Sequence, residues 1–163
     1  MFDDESAPAR TARHLYERAL ELQQRGALAD AIRLYKQSLA HLPTAEAHTF
    51  LGWAYAGLHR LEAAIEECRL AIDLDPDFGN PYNDIGAYYI ELERWDEAVP
   101  YFKEAISARR YDNREFAHFN LGRVYEHQGD WPRALACYQV AVRINWDYHQ
   151  ARLAARLLIG KLN

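Results

Sequence analysis

Seven histidines, a run of alternating aspartates and two cysteines are the residues here with types suited to chemistry. A metal site needs ligands at short, repeated spacings, as in an HExxH helix, because a small cation must be touched by several side chains at once. His14, His41, His59, His127 and His149 form no such pair. His48 and His118 occupy matching places in segments far apart along the chain, which keeps them from sharing one ion. Asp73, Asp75 and Asp77 in DLDPD imitate the start of a calcium loop. That loop requires Gly at its sixth position and Glu at its twelfth, where this chain has Phe78 and Asp84. Cys68 and Cys137 make no CxxC and read as two buried thiols in a reducing compartment. No Gly-rich phosphate loop or nucleophile elbow is present. No metal, no cofactor and no enzymatic constellation is therefore expected.

The elements that carry these residues are set by a repeat. Leu51-Gly52, Ile85-Gly86 and Leu121-Gly122 each precede a tyrosine three residues after the glycine: Tyr55, Tyr89 and Tyr125. Ala64, Ala98 and Ala134 lie twelve residues after each glycine, then Cys68, Phe102 or Tyr138, then Ala71, Ala105 or Ala141. A degenerate earlier copy runs through Ala19, Leu22, Gly26, Ala31, Tyr35, Ser38 and Pro43. Apolar residues at helical spacing fall in two stripes per copy, with a polar turn between them. Small residues let two helix backbones approach, and large ones fill the space beside them. One such hairpin cannot bury its apolar face alone, so copies must stack.

This spacing resembles the tetratricopeptide repeat, W-x2-L-G-x2-Y followed by A-x3-F, A and P, over roughly residues 12–146. The leading Trp is replaced by Leu15, His48, Tyr82 and His118; the closing Pro survives at Pro43 and Pro76 but becomes Arg110 and Trp146. The resemblance implies an all-α fold, a right-handed superhelical solenoid of stacked antiparallel helix pairs. Repeats are expected at about 12–44, 45–78, 79–114 and 115–147, forming one domain over 10–163. A capping helix is expected over 148–161, with Leu153, Ala154, Leu157 and Leu158 on one face. Residues 1–9 read as a disordered acidic tail.

In the resembled family the first helix of each repeat lines a concave partner groove. Mapped position by position, that implies Tyr16, Glu17 and Leu20; Thr49, Phe50 and Trp53; Asn83, Asp84, Ala87, Ile90 and Glu91; and Phe119, Asn120, Arg123, Glu126 and His127, with Phe116 near the entry. Tyr16, Phe50, Trp53, Phe116 and Phe119 suit apolar side chains of a peptide, Asn83 and Asn120 its backbone, and Asp84 and Arg123 its charge. The family's clamp for a C-terminal carboxylate would fall on Thr49, Trp53, Asp84, Phe116 and Asn120, or on Tyr16, Leu20, Phe50, Asn80 and Asp84. Neither set supplies cations, so that clamp is not expected.

One stretch, SARRYDNREFA at 107–117, breaks the rhythm: Gly52 to Gly86 is 34 residues, whereas Gly86 to Gly122 is 36. With Arg109, Arg110 and Arg114 around Tyr111, it reads as a longer joint, either a plain spacer or a basic knuckle tipped by an aromatic ring.

Net charge −5 and a skew of sixteen arginines to three lysines complete the picture. The acidic balance excludes a phosphate-backbone binder, and the arginine skew points to a GC-rich bacterial genome. No apolar run spans a bilayer, and MFDDESAPAR lacks the apolar core of a secretory signal. The expected function is a non-catalytic, cytoplasmic scaffold or adaptor for a protein or peptide partner. The alternative is a small secretion chaperone or a pilus or secretion assembly factor; a lipidated pilotin would need an N-terminal cysteine. Self-association is left open.

Overall fold

The computed structural model describes residues 6–162, which form nine α-helices and no strand beyond one isolated bridge. They fall into two compact units, one ending at Pro76 and one beginning at Asp77. The first holds α1 (Ala7–Gln24), α2 (Leu28–His41), α3 (Ala45–Gly57) and α4 (Leu61–Leu74). The second holds α5 (Gly79–Glu91), α6 (Trp95–Ser107), α7 (Arg114–His127), α8 (Trp131–Ile144) and α9 (His149–Leu162). In each unit, consecutive helices pair into hairpins, and the hairpins pack side by side. The fold is an all-α helical-repeat solenoid. Among the described residues no helix is long and apolar enough to cross a membrane.

The chain is helical from Ala7, inside the expected tail. The Ser6 hydroxyl accepts the Ala9 N–H and Pro8 sits in the first turn, so this stretch carries a complete helix start. Residues 1–5 of the expected tail lie outside the described residues. Thr44 and Asp130 cap α3 and α8 in the same way.

Each hairpin turns through a residue with positive φ: Gly26, His59, Glu93 and Gly129. In all four turns the next N–H reaches back to a carbonyl five residues earlier, as Arg60 does to Tyr55 at 3.0 Å and Asp130 to Tyr125 at 2.8 Å. Glycine is at ease there, whereas His59 and Glu93 adopt the conformation against their Cβ.

An arginine at the turn, or in the first turn of the second helix, covers the repeat's tyrosine. Arg60 lies over Tyr55, Arg94 over Tyr89 and Arg133 over Tyr125, with 4.5–4.6 Å from guanidinium to ring centre. Where tyrosine stands at the second-helix position that Phe102 fills in the third copy, its hydroxyl donates back to the first helix: Tyr35 to Gln23 at 2.7 Å and Tyr138 to Glu126 at 2.8 Å. Ser38 replaces the usual alanine in repeat one and donates to the Ala12 carbonyl at 2.7 Å, satisfying a buried hydroxyl.

The longer joint between α6 and α7 folds inward. Arg110 N–H donates to the Asp77 carbonyl at 2.9 Å and Gly79 N–H to the Arg110 carbonyl at 3.0 Å, a parallel bridge between Phe78 and Arg110. The Arg110 guanidinium covers the Phe78 ring at 4.2 Å. Arg114 donates to the carbonyls of Ile106 at 3.1 Å, Tyr111 at 2.5 Å and Ala108 at 2.5 Å, tying the joint to the end of α6. Tyr111 is only 2% exposed and packs with Ala105, Ala108 and Ala117. Tyr111 is thus a core residue and not the tip of a knuckle, one of the two readings of this joint, because backbone pairing to the segment before α5 draws the loop down. Arg109 remains exposed, 3.7 Å from Asp77.

Candidate functional site

In the first unit the candidate residues form a column of rings across three helices. Tyr16 of α1 stands 5.9 Å from Tyr35 of α2 and 5.9 Å from Phe50 of α3, and Phe50 stands 5.1 Å from Trp53. Tyr16 and Phe50 are half-buried, while Trp53 is 43% exposed. Helical spacing of three residues puts Phe50 and Trp53 on one face, and the inner rings hold the outer one in place. Thr49 is absent from this face: it is buried and donates to the Ala45 carbonyl at 2.8 Å.

In the second unit the candidates separate into two groups. Asn120 Nδ2 donates to Asn83 Oδ1 at 3.2 Å, and Arg123 donates to Asn120 Oδ1 at 3.3 Å, a ladder from α5 to α7. Arg123 also lines a cleft of about 500 Å³ with Ile90, Glu91, Trp95 and His127. There the His127 and Trp95 rings stack 4.1 Å apart at 11°. Ile90 gives this cleft a mostly buried edge.

The second group is aromatic. Phe116 and Phe119 both meet Tyr148 edge-on, at 5.2 and 5.1 Å, and Phe119 also packs on Tyr138 at 5.5 Å. Phe119 is half-buried and serves helix packing as much as display; Phe116 is 39% exposed. Asp84 is 7% exposed, so its carboxylate is a poor selector of charge in solution. It lies on the crowded flank of α5, which packs on both α6 and α7.

Trp95 and Tyr148 were not marked by the repeat register. Trp95 belongs to a second helix and Tyr148 to the approach to α9, and the register looks only at first helices. Their signal was the bare presence of large aromatics at helix starts.

The histidines have other work. His48 Nδ1 lies 2.7 Å from Glu67 Oε2, joining α3 to α4 where the repeat family has Trp. His118 is half-buried, and burial lowers its pKa. Among the described residues no group of three or more His, Cys, Asp or Glu is placed to hold a metal ion. Neither cysteine is in a disulfide; Cys68 is buried, but Cys137 is only half-buried, with its thiol pushed up by burial.

Tyrosines supply the strongest titration signature. Burial, then Glu46, pushes Tyr16 up to about 12; burial, outweighing the opposing pull of Arg123 and with a smaller push from Glu115, takes Tyr148 to about 12. Burial, helped by Tyr16, raises Tyr35 further, and burial with the Glu126 hydrogen bond does so for Tyr138. Folded values above the ordinary phenol value of about 10 mean that this stabilisation is complete below pH ~10 and disappears as pH rises through the folded values. Melting temperature measured by circular dichroism should therefore fall steeply above pH ~10, with tyrosinate absorbance rising in step with unfolding.

Among solved structures, that of Pseudomonas aeruginosa pilF is similar over 96% of this chain and 71% of that one, with 24% identity and a TM-score of 0.89. PilW, a widely conserved type IV pilus biogenesis factor, matches over 86% of this chain and 64% of that one, with 22% identity and a TM-score of 0.79. The first TPR of Spaghetti (RPAP3), bound to the HSP90 peptide SRMEEVD, matches over 74% of this chain and 95% of that one, with 21% identity and a TM-score of 0.69. No curated protein matches this chain. Two family models described as tetratricopeptide repeat match residues 10–77 and 77–145. Together they span the hairpins, the repeat tyrosines and the small residues described above, and the chain belongs to the tetratricopeptide repeat family.

Proposed function

We propose that this protein is a non-catalytic scaffold that holds a peptide or helical segment of a partner protein against its first-helix faces. The observation that carries this reading is Trp53: a large ring, 43% exposed, fixed by Phe50 and Tyr16 beneath it. An ordered, exposed aromatic loses little entropy on binding and buries much area, the profile of an interface anchor. The cleft beside Arg123, with Glu91 and the stacked His127, offers polar selection in the second unit. The peptide held by the RPAP3 repeat supports the same kind of ligand. A C-terminal carboxylate is not the recognised group, since Thr49 and Asp84 are buried and the clamp positions lack cations. Cys137, half-buried and outside any disulfide, fits a reducing compartment, the cytoplasm.

The likeness to pilF and PilW supports a second reading, an assembly factor or secretion chaperone for an exported protein. Co-expression separates the two: an exported subunit that becomes soluble only with this chain supports the second.

Peptide display on the intact protein, followed by titration of a selected peptide, tests the first reading. Trp53→Ala should weaken binding tenfold or more, about 1.4 kcal/mol, while the melting temperature stays near wild type. Undiminished binding would remove the ring column from the site. A large drop in melting temperature would instead make Trp53 a core residue.

A further inference from the structure

The repeat register continues past α8. Counting 34 residues on from Gly122 reaches Arg156, so Ala155 takes the place of Leu51, Ile85 and Leu121, and Ile159 that of Tyr55, Tyr89 and Tyr125. In the three earlier copies this face is covered by the hairpin's own second helix. A Cβ on Gly86 would lie 2.5 Å from Phe102, and one on Gly122 2.6 Å from Tyr138. The three tyrosines are 4–7% exposed.

On α9 Ala155 is buried but the tyrosine position is open, with Ile159 43% exposed. With α8 it forms a trough of about 530 Å³, lined by Val142, Ala155 and Ile159 and bordered by Arg143, Arg152 and Arg156. No carboxylate pairs with these three arginines among the described residues. Elsewhere Arg33, Arg69, Arg94 and Arg133 each have an acidic partner three residues away. An apolar floor with unpaired cations on both sides defines its occupant. Covering the arginines with a neutral or basic helix would desolvate three charges without compensation. Arginine at the glycine position also holds an incoming backbone farther off than in the internal hairpins. The gap is then spanned by long side chains, which need acceptors at their ends.

We propose that the trough between α8 and α9 is a separate docking site for an acidic amphipathic helix of a partner protein. Leucine-like side chains enter between Val142 and Ile159, and flanking Asp or Glu residues meet Arg143, Arg152 and Arg156.

The probe is a fluorescent helical peptide with leucines on one face bordered by glutamates, compared with a twin carrying lysines instead. The intact protein should bind the glutamate peptide at least tenfold tighter than the lysine peptide. Arg152→Glu with Arg156→Glu should reverse that order, with the helical circular dichroism unchanged. Ile159→Ser, at an exposed position, should weaken binding of either peptide by itself, whereas Trp53→Ala should leave it unaltered. Equal affinity for the two peptides, or indifference to the α9 substitutions, would overturn the proposal. So would a loss of binding in Trp53→Ala, which would put the peptide on the first-helix faces. Sedimentation showing a wild-type dimer made monomeric by the same α9 substitutions would assign the trough to a second copy of the chain instead.

Discussion

Replacing Tyr111 with alanine is expected to cost the second unit about 3–5 kcal/mol, the range for truncating a fully buried aromatic residue. The ring sits against Gly79, where a Cβ would lie 2.4 Å from the Tyr111 Cβ, and among Ala105, Ala108 and Ala117. Glycine and alanines have no reach with which to collapse into the space, so the cavity stays open and the loss should fall toward the upper end. Tyr111→Phe has the opposite sign. The phenol oxygen is buried without a hydrogen-bond partner among the described residues, and burial, then Asp84 and Glu115, pushes its pKa far up. Removing that oxygen relieves a desolvation cost of about 1–3 kcal/mol. Urea unfolding followed by fluorescence of Trp95, Trp131 and Trp146, in a Trp53→Phe background, reads the second unit alone. If Tyr111→Ala costs under about 1 kcal/mol, the joint is a spacer after all.

This joint also shows where reading the sequence reached its limit. The hairpins were legible because their contacts recur: each glycine, tyrosine and alanine answers the same packing demand in every copy. Gly86 faces Phe102 and Gly122 faces Tyr138, so spacing alone locates the contact. Tyr111 has no counterpart in the other copies. Its burial follows from hydrogen bonds between Arg110 and the Asp77–Gly79 backbone, a pairing across some thirty residues that leaves no periodic trace. Gly79 was the available hint, a small residue opening a helix.

The same logic sorts the candidate site. Phe50 and Trp53 share one face of α3, because three residues nearly complete a turn. Thr49 of α3 and Asp84 of α5 are buried, so the repeat register does not tell which first-helix positions neighbouring helices cover. The Phe119 ring packs on both Tyr138 and Tyr148. A position's angle around a helix is fixed by its number. The height of the neighbours on either side depends on residues from other repeats, and their packing is not written in the period.

Phe102→Ala should likewise cost about 3–5 kcal/mol, and it should change the sign of a second substitution. Phe102 is fully buried, with its ring edge where a Gly86 Cβ would be: 2.5 Å from Cε1 and 2.7 Å from Cζ. Two effects compete at Gly86. Alanine improves helix propensity by about 1 kcal/mol, while forcing a methyl group into a packed ring costs about 1–3 kcal/mol. At 2.5 Å the ring must move, and a fully buried ring has nowhere to go, so Gly86→Ala alone should destabilise. In the Phe102→Ala background the obstruction is gone and the propensity gain remains, so the same substitution should stabilise. Gly160 offers the uncrowded reference, since a Cβ there meets nothing within 4 Å and Gly160→Ala should be neutral or favourable. A double-mutant cycle by urea unfolding gives the coupling directly. If Gly86→Ala has the same effect with and without Phe102, close approach of glycine and ring is not what sets the distance between α5 and α6, and the repeat's small-and-large pattern needs another cause.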